Sequence, residues 1–229
     1  MFALKCQINY SIIKLNGFLH PLNQLKMINN YKLISTLSDL CTKDDIISPG
    51  MSSTCAVHIY QSWRVKFGQR FSYAGALGAM GTGIPGAIGA CIATGKRTIC
   101  VNGDGGFQLN IQELEVVRRL KLNIKFFVLN NGGYLAIQNT QKKYFNGHFV
   151  GCKAPDLTLP PLRKIADVYD LKYYLLEDEK DVQSICKQAL SDNEPCLVEV
   201  MESQEQETVM RVGSKIVNGV PTSGRFEEV

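Results

Sequence analysis

The stretch from Thr98 to Tyr134 constrains this chain more than any other. An apolar run, Thr98 to Val101, leads into the turn Gly103-Asp104-Gly105-Gly106; a segment of helical spacing follows; and a second apolar run, Ile124 to Leu129, leads into Asn130-Asn131-Gly132-Gly133. Strand, helix and strand over so short a path make a parallel βαβ unit, because about 25 residues are enough for a crossover. In the linking segment Ile111, Leu114, Val117 and Leu120 recur at helical spacing, with Glu113, Glu115, Arg118 and Arg119 on the other side. Further β-type runs at Ile46 to Ser48, Phe71 to Tyr73, Tyr173 to Leu176 and Cys196 to Met201 alternate with helical stretches, among them Asp181 to Leu190 with Val182, Ile185 and Leu190 inward. This alternation predicts an α/β fold, a parallel sheet flanked by helices on both faces.

One domain is expected from residue 27 to residue 229, ending in a polar tail from Glu202 that lies over the surface; residues 1–26 are left unassigned. A chain of 229 residues with 45 % hydrophobic and 20 % charged residues can bury a core without staples. The net charge of +4 is scattered rather than gathered on one face, which argues against a nucleic-acid partner. Eight cysteines are spread widely with no CxxC spacing, the pattern of buried, reduced thiols in the cytosol. Lys5, Asn9 and Lys14 interrupt any signal-peptide core, so a cytoplasmic protein is expected. The apolar stretch from Ala74 to Gly95 is crowded with glycine and reads as a buried loop and helix, not a membrane span.

The chemistry gathers where the two strands of the βαβ unit end. Ligands of parallel sheets collect at the carboxyl ends of strands, and glycines there let backbone N–H groups approach a phosphate at a helix N-terminus. An aspartate in such a turn repels a bare phosphate, so Asp104 makes sense beside a divalent cation that bridges carboxylate and phosphate oxygens. Magnesium asks for further oxygen ligands, and Asn130-Asn131-Gly132-Gly133 offers amide oxygens and turnable carbonyls.

These residues carry a resemblance. Gly103-Asp104-Gly105 followed after 24 residues by Asn130-Asn131 is similar to the thiamine diphosphate motif of the thiamine-dependent 2-oxo acid enzymes. The run VNGDGGFQLNIQELEVVRRLKLNIKFFVLNNGGY, with GQRFSYAGALGAMGTGIPGAIGA before it and NTQKKYFNGHFVG and RVGSKIV after it, resembles the large subunit of acetolactate synthase over roughly residues 27–220. The resemblance implies that Asp104 and Asn131 ligate Mg2+ through side-chain oxygens and Gly133 through its carbonyl. It implies that Met80 wedges the cofactor into its bent shape while the Gly78 carbonyl accepts from the 4'-amino group. Gly105 and Gly106 offer N–H groups to the diphosphate, and Ser53 and Thr54 hold its far side.

The likeness is to the last of the family's three domains. It therefore implies a homo- or hetero-oligomer in which a pyrimidine-binding domain or subunit brings the activating glutamate, and it leaves no catalytic residue for this chain. Two function classes follow: part of an enzyme that decarboxylates a 2-oxo acid and ligates the product, or a non-catalytic module that holds magnesium and diphosphate. A formal GxGxxG, Gly81 to Gly86, suggests a dinucleotide site instead, but that reading gives the Asn130-Asn131 pair no task. Taken singly, Asp104 reads as a helix cap, Met80 as core filling and Trp63 as a packing anchor. Gln112 and Glu113 read as solvated or packed against a partner subunit rather than catalytic, and His20, His58 and His148 as structural. Tyr134 is a candidate to touch cofactor or substrate.

Overall fold

A computed structural model describes residues 27–51, 53–206, 208 and 214–223. The unassigned segment 1–26 lies outside the described residues. Six strands, β1 (Ile46–Pro49), β2 (Arg70–Phe71), β3 (Thr98–Gly103), β4 (Ile124–Asn130), β5 (Lys172–Leu176) and β6 (Cys196–Met201), form one all-parallel sheet in the order β2-β1-β3-β4-β6-β5. Between them run α1 (Asn30–Leu40), α2 (Ser53–Ser62), α3 (Gly83–Thr94), α4 (Asp104–Gln108), α5 (Leu114–Leu120), α6 (Leu135–Tyr144), α7 (Leu162–Val168) and α8 (Val182–Ala189).

Both faces of the sheet are buried, and strand parity divides them. Ile99 and Val101 of β3, Phe127 and Leu129 of β4, and Val198 and Val200 of β6 meet α1, α2 and α8 on one face. Their neighbours Cys100, Phe126, Val128 and Leu197 meet α3, α5 and α7 on the other. Trp63 anchors the first core, edge-on to Phe71 at 6.1 Å, with its indole N–H donating to Gln69. At the amino edge of the sheet, Arg97 clamps Asp45 through Nε and Nη2 (2.7 and 2.9 Å) and donates through Nη1 to the Leu190 carbonyl. The seven cysteines among the described residues are free and buried, and burial pushes the thiols of Cys41, Cys100, Cys186 and Cys196 up to about 12.

Four expectations are corrected. The crossover helix is two helices: α4 starts on Asp104, and a 3-10 turn (Ile111–Glu113) leads into α5. Leu114 and Val117 reach the core, but Leu120 is exposed, because the helix ends at Lys121 in a left-handed conformation (φ 47°). The edge strand β2 stops at Phe71, and Tyr73 turns outward to meet the Tyr60 ring at 5.5 Å. Beyond it, residues 73–80 are exposed rather than buried, Leu77 to 93 %, because no described element covers the loop after this two-residue edge strand. Only α3, through Ile84, Ala87, Ile88 and Cys91, is buried as expected.

The polar tail is likewise not all surface. Glu202, Ser203 and Gln206 are buried, and Glu202 bridges in parallel to Ile28 just beyond β6. Further on, β7 (Ser214–Val217) and β8 (Val220–Ser223) form an antiparallel hairpin around Asn218-Gly219, both at positive φ, the usual two-residue hairpin turn. Among the described residues no helix is long and apolar enough to cross a membrane.

Candidate functional site

The chain leaves β1 for β2 on one side and returns as β3 on the other, and this reversal opens a crevice outside the carboxyl ends of the strands. Asp104 follows β3 directly and Asn131 follows β4, and the pairing of Gly103 with Leu129 sets the two strand ends side by side. Asp104 Oδ2 accepts from the N–H groups of Asn131 (3.1 Å), Gly132 (2.7 Å) and Gly133 (3.1 Å), while Oδ1 accepts from Gly105 N–H (2.7 Å). The carboxylate thus sits in a nest of backbone donors that locks the two turns together. Burial outweighs those four hydrogen bonds and pushes the Asp104 carboxyl up to about 6.

The Asn131 side chain is fixed from behind. Its Nδ2 donates to Glu202 Oε2 (2.7 Å) and its backbone carbonyl accepts from Gln204 Nε2 (2.8 Å). Its Oδ1 is buried and, among the described residues, has no hydrogen-bond partner. A bare buried acceptor costs about 1–3 kcal/mol, so this oxygen asks for a ligand. Gly133 is required by close approach, since a Cβ there would stand 2.3 Å from the Cys152 carbonyl oxygen. The Gly133 carbonyl oxygen lies 3.6 Å from where a Gly105 Cβ would stand and so borders the first turn of α4. A carboxylate, an amide oxygen and a carbonyl are the donors of a hard cation such as Mg2+. Among the described residues no cluster of three or more His, Cys, Asp or Glu side chains could hold a metal, so any cation here relies on these mixed oxygens.

Of the other sequence-read positions, Gly105 lies under the Tyr134 ring, which a Cβ would meet at 2.4 Å. Its N–H is engaged by Asp104, so a diphosphate would compete with that carboxylate for it. Gly106 is buried beside Asn102, whose Oδ1 lies 2.9 Å from where a Gly106 Cβ would stand. Gly78, at φ 61°, and Met80, 38 % exposed, lie on the open loop after β2. That loop is tied to the β3 end through Asn110, which donates to the Gly81 carbonyl (2.8 Å). Ser53 and Thr54 open α2 after β1, and their side chains lie outside the described residues. Gln112 donates to Asn110 and takes no part in the Asp104 and Asn131 contacts, nor does Glu113. His148 is exposed, His58 is buried and His20 lies outside the described residues. Beside Asp104 a cavity of about 310 Å3 is bordered by Gln108, Asn130, Gly132 and Thr158.

One residue escaped the sequence reading. Glu202 is 1 % exposed, and burial pushes its carboxyl up to about 7 against the hydrogen bonds from Asn131 and Asn30, with the Asp104 charge adding to the rise. Its signal was its place, directly after the CLVEVM strand, at a carboxyl end like those of β3 and β4.

Sheet topology and strand-end turns together define an α/β protein whose parallel sheet gathers, at its carboxyl edge, oxygen donors of the kind suited to a hard cation. Residues 51–200 match the family model of the thiamine pyrophosphate enzyme C-terminal TPP binding domain, and the chain belongs to that family. It is similar to an acetolactate synthase of Arthrospira platensis, 31 % identical over 164 residues that cover 69 % of this chain and 28 % of that protein. It is also similar to the acetolactate synthase large subunit of Porphyra purpurea (27 % over 158 residues, 67 % and 27 %). A probable acetolactate synthase large subunit of Methanococcus aeolicus matches at 25 % over 203 residues (86 % and 33 %). The chain spans about a quarter to a third of the length of these relatives.

Proposed function

We propose that this chain supplies the diphosphate half of an acetolactate synthase-like site that decarboxylates a 2-oxo acid and ligates the resulting carbon unit to an acceptor. The observation that carries the reading is the meeting of the Asp104 carboxylate with the Asn131 turn, where a buried amide oxygen stands without a hydrogen-bond partner. Asp104, Asn131 and the Gly133 carbonyl hold Mg2+, and Gly105, Gly106, Ser53 and Thr54 face the diphosphate. Met80 and the Gly78 carbonyl orient the cofactor rings. Bound thiamine diphosphate supplies an electron sink for the bond that is broken. The chain's own residues bind, bend and orient it.

Activation needs an acid at the pyrimidine ring, and a pyrimidine-binding domain of a partner subunit brings it in trans. The exposed apolar side chains Tyr73, Leu77 and Met80, beside the Gly78 turn, support a partner-facing surface there. Such a protein works as a homo- or hetero-oligomer in the cytoplasm.

Calorimetry with thiamine diphosphate and MgCl2 tests the site. Binding should require magnesium and be lost in Asp104→Ala and in Asn131→Ala, each still folded by circular dichroism. Normal binding by either variant refutes the metal assignment. Carbon dioxide release from pyruvate and other 2-oxo acids, with and without a pyrimidine-binding partner, separates a catalytic subunit from a non-catalytic binding module.

A further inference from the structure

Behind Asn131 runs a buried polar chain that enters the core. His58 Nε2 pairs with Thr208 Oγ1 (3.1 Å), and His58 Nδ1 pairs with Asn30 Nδ2 (3.1 Å). Asn30 Nδ2 also donates to Glu202 Oε1, and Glu202 Oε2 accepts from Asn131 Nδ2. Glu202 is itself fastened by its backbone, since its N–H donates to the Asn130 carbonyl (3.0 Å), and Gln206 Oε1 accepts from Asn30 N–H. Asn30, His58, Asn131 and Glu202 are all buried.

An amide side chain has two nearly isosteric orientations, and its neighbours decide which end points where. Both Glu202 side-chain oxygens accept, Oε1 from Asn30 Nδ2 and Oε2 from Asn131 Nδ2, so Glu202 faces the NH2 end of Asn131 and not its oxygen. The Asn131 oxygen is thereby turned away from Glu202, which is the orientation a cation needs. We propose that Glu202 is a positioning residue for the metal: by accepting from the Asn131 NH2 group it fixes that amide with its oxygen forward. The inference rests on the reading of Asn131 as a magnesium ligand given above. It adds a residue from a different strand end and a buried relay through Asn30 to His58. Groups of this kind behind a metal ligand typically carry 10–100-fold in metal affinity.

The test is titration of the full chain with Mg2+ in the presence of thiamine diphosphate, repeated with Mn2+ followed by its electron paramagnetic resonance. Glu202→Leu, which removes both acceptors at similar size, should weaken the metal by about 10-fold or more. Glu202→Gln, which keeps one acceptor for Asn131, should stay within about 3-fold of the wild type, a rescue that a merely structural role does not predict. Loss of binding in Asn131→Ala with unchanged binding in Glu202→Leu overturns this proposal and leaves the metal site standing. Unchanged binding in Asn131→Ala overturns the metal site itself, and the proposal with it. Should Glu202→Leu fail to fold, the side-chain amide protons of Asn131 in the wild type decide. Slow exchange, as for a buried N–H held by a carboxylate, supports the assignment, and exchange at the rate of an exposed asparagine refutes it.

Discussion

Raising the pH from 5 to 8 in the presence of a chelator should destabilise the metal-free protein, because two buried carboxyls hold their protons in the fold. Asp104 moves from its ordinary 3.8 to about 6 and Glu202 from 4.5 to about 7, both chiefly through burial. Between about pH 4 and pH 7 the folded chain therefore binds more protons than the unfolded one. The stability linked to these groups is complete below pH 4 and is lost as the pH rises through 6 and then 7. At about 1.4 kcal/mol per pKa unit, integration from pH 5 to 8 gives a loss of about 1 kcal/mol from Asp104 and about 2–3 kcal/mol from Glu202. For a domain of this size a total of about 4 kcal/mol lowers Tm by about 10 °C. Asp44, Glu115 and Asp178 are held below their ordinary values by Lys96, Arg118 and Lys180, so they are ionised throughout the window and add no slope. Scanning calorimetry of the wild type and Glu202→Gln at half-unit pH steps makes the measurement, and the variant should lose only about 1 kcal/mol over the range. A wild-type Tm that is flat or rises between pH 5 and 8, or a variant with the same slope, refutes the reasoning.

Other outcomes follow from the same geometry. Arg97→Ala leaves Asp45 buried without its bidentate partner and should remove about 3 kcal/mol in urea unfolding. It should leave magnesium-dependent binding unchanged, since the pair lies at the opposite end of β3. Gly133→Ala drives a Cβ against the Cys152 carbonyl oxygen and should cost about 1–3 kcal/mol and displace the Asn131 turn, read as a lower urea midpoint together with weaker metal binding. The thiols of Cys41, Cys100, Cys186 and Cys196, raised by burial, should react with a disulfide reagent only on unfolding; fast modification of Cys100 in the native protein would count against the packing of β3.

Periodicity carried the sheet. Strand parity in Ile124 to Leu129 and in Cys196 to Met201 requires two buried faces, and the spacing of Asp104 and Asn131 places them at neighbouring strand ends whatever the details of packing. Even so, local pattern overstated the crossover helix, since helical spacing continues through Leu120 while the chain breaks at Leu109 and Asn110 to turn across the sheet. Glu202 shows what sequence alone does not decide. In a polar stretch it reads as solvated, because the preference of glutamate for water is a local property. Its burial comes from the bridge to Ile28 and from Asn30, His58 and Asn131, brought together from α1, α2 and the end of β4. Residues 28 and 202 are far apart in the chain, and only the closed sheet makes them neighbours. The sequence by itself determined which oxygen donors stand at the strand ends. The tertiary structure decided which way the Asn131 amide faces, because that orientation is set by a carboxylate on another strand.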